Sequence, residues 1–210
     1  MKDQKLSWID LESTGFTDLN TRGIYKHKLL EIAVLITTKD LKYVDELNLV
    51  IGHDKTEAQY WADDYVLKMH TENGLWDECA ASSLTYEQAE DAILAFFKKH
   101  DIGVRHSALW GNSVYLDRAY IETKMPRLSD HLHYQNGDIS AVKNFIKLIS
   151  PEFEPVKAKT HRAMDDIKES VAEAQVYMDL FRPHLEKLLQ IRKAKERAIR
   201  ERDDGPGFAP

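Results

Sequence analysis

Leu6-Ser7-Trp8-Ile9-Asp10-Leu11-Glu12, ended by Ser13-Thr14-Gly15, reads as an apolar strand with two acids set into it. Strand alternation predicts Ile9 and Leu11 on one face, with Trp8, Asp10 and Glu12 on the other. Acids are poor strand formers, so their presence in such a run calls for a reason. A spacing of two residues puts both carboxylates on the same face. Like charges that close repel unless something positive lies between them, and a hard divalent cation is the usual answer. A strand with a solvated polar face accounts equally for an Asp-x-Glu taken alone. The tight turn and backbone donors of Thr14-Gly15 favour a site.

Outward from this strand, Leu29-Leu30-Glu31-Ile32-Ala33-Val34-Leu35-Ile36 reads as a nearly continuous apolar strand. Asp40-Leu41-Lys42 reads as a turn, and Tyr43 to Ile51 as a strand with one solvated face. Strands joined by short loops predict an antiparallel meander before any helix. Helical spacing follows over Thr56 to His70 and over Thr85 to Lys99. Short strands at Ala108-Leu109-Trp110-Gly111 and near Asp138-Ile139 each lead into a helix, the second running from Ala141 to Ile149. A last core helix is expected from near Arg162 to Phe181, ended or bent by Pro183. Strands first and alternating helices and strands afterwards imply an α/β fold, a mixed sheet with helices on its faces. The expected organisation is one domain over residues 1–182 and a charged helical extension over 183–210.

At 210 residues and 43% hydrophobic, the chain can bury a real core, which excludes a mostly disordered or low-complexity protein. No apolar run approaches the ~18–20 residues that span a bilayer, so no membrane association is expected. The first residues enter a strand without a signal-peptide-like apolar region, and the single Cys79 leaves no internal disulfide. Both features fit a reducing cytoplasm. Twenty-nine basic against thirty-five acidic side chains give a net charge of −6. That balance argues against clamping long nucleic acid by counterion release, though not against a small nucleotide site.

Two further segments carry acids beside a chemically able partner. In Thr160-His161-Arg162-Ala163-Met164-Asp165-Asp166-Ile167, five helical steps would set His161 and Asp166 about 140° apart. They converge only if His161 lies in the loop before the helix and Asp166 within its first turns. A capping histidine and acids that complement the helix dipole are the plain alternative. In Gly111-Asn112-Ser113-Val114-Tyr115-Leu116-Asp117, a strand end passes into a helix with Asp117 about one turn in.

Together, Asp10, Glu12, Asp117, His161 and Asp166 form an ordered series that resembles the DEDDh exonucleases, which have an RNase H-like fold. The match is closer to one branch of them. Trp8-Ile9-Asp10-Leu11-Glu12-x-Thr14-Gly15, Leu30-Glu31-Ile32-Ala33, His70-Thr71-x-x-Gly74-Leu75, Gly111-Asn112-Ser113, His133-Tyr134 and His161-x-Ala163-Met164-Asp165-Asp166-Ile167-x-Glu169-Ser170 are similar to oligoribonucleases, over roughly residues 5 to 181. The resemblance implies that Asp10, Glu12, Asp117 and Asp166 hold two divalent cations, Mg²⁺ or Mn²⁺. It implies His161 as general base in 3′-phosphodiester hydrolysis that releases nucleoside 5′-monophosphates. It also places Ser113, Ser140 and Tyr134 around the 5′ phosphate of a dinucleotide or very short oligonucleotide. The tyrosine comes from the partner in a homodimer, and His70 lies in the same substrate pocket.

The chain departs from that pattern at several positions. Gln135 stands where an arginine is usual, Phe16 where a leucine wedges between bases, and Ser13 where a methionine is usual. The stretch from Phe16 to Lys28 is longer than usual, and Asn136-Gly137 looks turn-like. None of these removes an acid of the series or His161. An aromatic face at Phe16 stacks irrespective of the sugar, so short DNA joins short RNA as an expected substrate. Two other functions remain open at this point: a DEDDh exonuclease trimming longer single strands, and a nucleotide-binding module without turnover. Four mutually repelling carboxylates would serve the latter poorly.

Overall fold

The computed structural model describes residues 4–15, 26–153 and 161–203. Phe16 and most of the polar stretch after it lie outside the described residues. The meander is present as β1 (Lys5–Ser13), β2 (Leu29–Thr38) and β3 (Tyr43–Val50), antiparallel throughout. β4 (Leu109–Gly111) then pairs parallel with β1, and β5 (Asn136–Asp138) parallel with β4. The resulting order, β3-β2-β1-β4-β5, makes the acid-bearing β1 the central strand of a mixed five-stranded sheet.

β1 alternates as its sequence requires. Ile9 enters the main core with Ile32, Val34 and Ile36 of β2, and Leu11 packs against it. Trp8 is fully buried, with its indole N–H donated to Thr37 Oγ1 at 2.9 Å. β2, buried along almost its whole length, explains its unbroken apolar run, whereas β3 is the part-exposed edge.

The helices depart from expectation in several places. The single helix expected over Thr56 to His70 is two, α1 (Lys55–Tyr60) and α2 (Asp64–Glu72). Asp63 breaks it, because its carboxylate accepts from Val66 N at 2.9 Å and starts α2 as an N-cap. Two short helices were unanticipated: α3 (Leu75–Ala81), following Gly74 at φ 80°, and α6 (Pro126–His131), opening on a proline. Between them, α4 (Tyr86–Lys99) starts at a Thr85 capping box and α5 (Tyr115–Lys124) follows β4. Ile93, Phe96 and Phe97 of α4 and Tyr120 and Ile121 of α5 fill the main core. Leu75, Trp76 and Cys79 of α3 form a smaller core with Leu30 and Val66.

Asn136-Gly137 is strand rather than turn. A Cβ on Gly137 would lie 2.2 Å from the Trp110 indole, so the ring of β4 occupies the space a side chain would need. Helix α7 (Ile139–Ile149) follows directly.

The chain divides into two compact units, residues 1–172 and 173–210. The last helix, α8 (Ala163–Asp203), contributes its first turns to the former and its remainder to the latter. It passes through Pro183 instead of stopping there. Strong helix formers on both sides, Leu180 and Arg182 before it and Leu185, Glu186, Lys187 and Leu188 after it, outweigh one missing backbone donor. Among the described residues, no helix is long and apolar enough to cross a membrane.

Candidate active site

Carboxylate oxygens of Asp10, Glu12 and Asp166 all lie within 4.8 Å of one another. The first two come from the central strand and the third from the opening turns of α8. Asp117 joins them electrostatically from the first turn of α5, where it is buried. Among neighbouring carboxylates its charge acts most strongly on Asp10.

Burial, then the charges of Asp117, Glu12 and Asp166, hold the Asp10 carboxyl well above its ordinary range. Burial first, and then Asp166, push Glu12 up to about 9. Asp117 rises to about 7, chiefly through burial, although the backbone N–H groups of Asp117 and Leu11 restrain it. An all-oxygen, anionic donor set with excess negative charge suits a hard divalent cation.

These shifts carry a consequence for stability. With pKa values above those of the unfolded chain, the metal-free fold retains protons that the unfolded chain releases. That stabilisation is complete below the unfolded values of 4.5 and 3.8, and is lost as pH rises through about 7 and then about 9. A cation must displace the same protons, so its affinity rises with pH. In chelator, the thermal midpoint should fall between about pH 5 and about pH 9, and saturating divalent cation should restore most of it at the alkaline end. A flat profile in chelator would contradict the assignment of these shifts.

His161 sits in the turn just before α8, at φ 52°. Left-handed backbone is unusual for a residue with a side chain, and such strain persists only where surrounding contacts enforce it. Two contacts do so. The His161 carbonyl accepts from Asn73 Nδ2 at 2.6 Å. The next residue, Arg162, forks onto two carboxylates: its Nε and Nη2 lie 3.1 and 2.8 Å from the Glu31 oxygens, and its Nη1 and Nη2 each lie 2.8 Å from a Glu78 oxygen.

Glu31 is fully buried and stands opposite Glu12 in the β1–β2 register. Burial alone would raise its pKa, but hydrogen bonds from Arg162 and Asn48, the Arg162 charge and the Ala163 N–H bring it below the ordinary value. The Glu31 bond in turn raises the Arg162 pKa, so both remain charged. The start of α8 is thereby tied to the strand beside the acids.

His70 lies beneath the acids rather than facing open space. Its ring is fully buried, with Nε2 3.5 Å from Glu12 Oε2 and 3.3 Å from the Ser13 carbonyl. Burial lowers its pKa, and its hydrogen bond to the Ser13 carbonyl holds the ring beside Glu12.

Ser113 and Ser140 are brought together, their hydroxyl oxygens 3.2 Å apart at the start of α7. Asp138 fixes both residues by accepting from Ser113 N at 3.1 Å and from Ser140 N at 2.9 Å. Ser140 Oγ donates to Asn112 Oδ1 at 3.0 Å, and Asn112 Nδ2 donates to Ser170 Oγ at 2.8 Å. Ser170 closes the series on the Asp166 carbonyl at 2.8 Å. Tyr134, by contrast, is 78% exposed and stacks beside His133, lining a separate cleft with Arg105 and Arg118.

Sequence reading assigned no role to Glu31, Asn73, Asn112, Arg162 or Ser170. Glu31 carried the same signal as Asp10, an acid inside an apolar strand.

Residues 7–174 match the sequence profile of the Exonuclease family. The oligoribonuclease of Corynebacterium glutamicum (strain R) is 37% identical over 183 residues, 86% of this chain and 81% of its own. The chain belongs to the oligoribonuclease family. The oligoribonuclease of Mannheimia succiniciproducens is 38% identical over 86% of this chain and 95% of its own. In fold, the chain resembles the nuclease domain of 3′hExo, a DEDDh family member solved bound to rAMP. That likeness has a TM-score of 0.58 at 15% identity, covering 84% of this chain and 92% of that one. With family and fold together, the molecule is a 3′→5′ exonuclease on an RNase H-like α/β sheet, and its family is divalent-metal dependent.

Proposed function

We propose that this oligoribonuclease-family chain hydrolyses dinucleotides and very short oligonucleotides from the 3′ end, releasing nucleoside 5′-monophosphates. The observation that carries this reading is the convergence of Asp10 and Glu12 of β1 with Asp166 of α8 within 4.8 Å, just after the turn that holds His161. Asp10, Glu12, Asp117 and Asp166 would hold two divalent cations, Mg²⁺ or Mn²⁺, which would supply activation of the attacking water and charge stabilisation of the leaving 3′ oxygen. His161 takes the proton from the water as general base. Ser113 and Ser140 present two adjacent hydroxyls to a 5′ phosphate. His70 keeps Glu12 in place from below.

Tyr134, exposed on its own chain and lining a cleft with Arg105 and Arg118, is supplied in this reading to the partner's site in a homodimer. The exonuclease domain is assigned to residues 1–182, the extension to 183–210, and the compartment to the cytoplasm, where the free Cys79 stays reduced.

The test measures kcat/KM for matched ribo- and deoxy-oligomers of about two, three, five and ten nucleotides, with and without a 5′ phosphate. Efficiency should peak at the shortest lengths and vanish in chelator. Gln135 lacks a charged fork, so the 5′ phosphate should contribute about 1–3 kcal/mol less than a buried arginine contact would give. Equal efficiency at every length would favour a trimming enzyme, and no metal-dependent turnover a binding module. Mixing Asp10→Ala with Tyr134→Ala protomers should recover activity, since one of the two sites in a mixed dimer is intact. A monomer by light scattering would overturn the shared site.

A further inference from the structure

Asn73 closes α2 as its C-cap, at the corner before α3. Its side-chain amide is oriented without ambiguity. Oδ1 accepts from Leu75 N at 3.1 Å, so the amide nitrogen must face the other way. There Nδ2 donates to the His161 carbonyl at 2.6 Å, and it also lies 3.4 Å from His70 Nδ1. If Nδ1 accepts, the His70 proton resides on Nε2, the nitrogen that faces the Ser13 carbonyl and Glu12.

The contact to His161 matters because of where it falls. The backbone there is left-handed at φ 52°, and the peptide plane that Asn73 grips determines where the imidazole points. Without the donor, the turn is free to relax toward extended backbone, carrying the ring with it. Arg162 anchors the far side of the same turn, but its bonds run from its own side chain to Glu31 and Glu78 and do not touch the His161 peptide carbonyl.

We propose that Asn73 is a positioning residue for the reaction, one that holds the His161 peptide in its strained conformation and so aims the imidazole. The proposal rests on His161 being the general base. Asn73 itself touches no substrate in this account. It acts through the histidine, and its contribution should disappear when the histidine is gone.

The test is a double-mutant cycle on the full chain, read as kcat and KM on a labelled dinucleotide with Mn²⁺. Asn73→Ala should lower kcat on the order of 10- to 100-fold with little change in KM, the scale of a small misplacement of a reacting group. In the His161→Ala background the same substitution should change kcat by less than about twofold. Asn73→Asp keeps an oxygen for Leu75 N and loses the donor to His161, so it should reproduce the pattern with the cap intact, should the alanine variant fold poorly. Equal losses in both backgrounds would overturn the proposal and leave Asn73 a structural cap. No loss in the wild-type background would overturn it also. If His161→Ala alone left kcat unchanged, the general-base reading would fail by that separate measurement, and this proposal with it.

Discussion

Asp10→Asn should abolish turnover while making the metal-free protein more stable. The two effects have one cause. Asp10 is buried among Glu12, Asp117 and Asp166, and burial first and then their charges raise its pKa, so the metal-free fold carries the cost of its charge wherever the pH ionises it. Removing one charge relieves it. The same charge is needed to hold a cation, and the acids act as a unit, so the loss in kcat should be on the order of 10⁴-fold or more. Asp166→Asn should behave alike, since its oxygens belong to the same cluster. The checks are single-turnover rates with saturating Mn²⁺ and thermal midpoints in chelator. Near-wild-type turnover in either variant would remove that residue from the metal site.

His161→Ala should lower the rate about 10²–10⁴-fold, the usual contribution of a general base. Substrate affinity should hardly move, because in the proposed reading the imidazole takes a proton and does not grip the nucleotide. The loss should shrink as pH rises, since hydroxide then competes with the missing base. A variant that bound dinucleotide more weakly but retained its single-turnover rate would show that His161 belongs to the binding surface.

Much of this site was legible along the chain because its residues break local rules. Asp10 and Glu12 stand out as acids in an apolar strand, and the helical angle between His161 and Asp166 placed the histidine in a turn, where it is found. The partnership of Glu31 with Arg162 was not legible, although Glu31 breaks the same rule. A lone buried acid names no partner, and this one lies 131 residues away. Local capping was under-read as well. Asp63 divides one expected helix into two through a single side-chain bond, and Gly137 pairs as strand with Trp110, whose ring takes the space a side chain there would need. Pro183 erred in the opposite direction, as a stop signal overridden by its neighbours.

The hydrogen-bonded series from the Ser113 and Ser140 hydroxyls through Asn112 and Ser170 to the Asp166 carbonyl gives the site a built-in ruler. Its members stand on β4, α7 and α8 or at their immediate ends, and each bond satisfies a neighbour, so the span cannot stretch without breaking one. In the proposed reading, a strand held at one end by its 5′ phosphate and cut at the other would be gauged against that fixed length of protein. Asn112 is the graduation at the middle. Its carbonyl receives from one side and its amide gives to the other, a polarity that aspartate, leucine or alanine cannot supply.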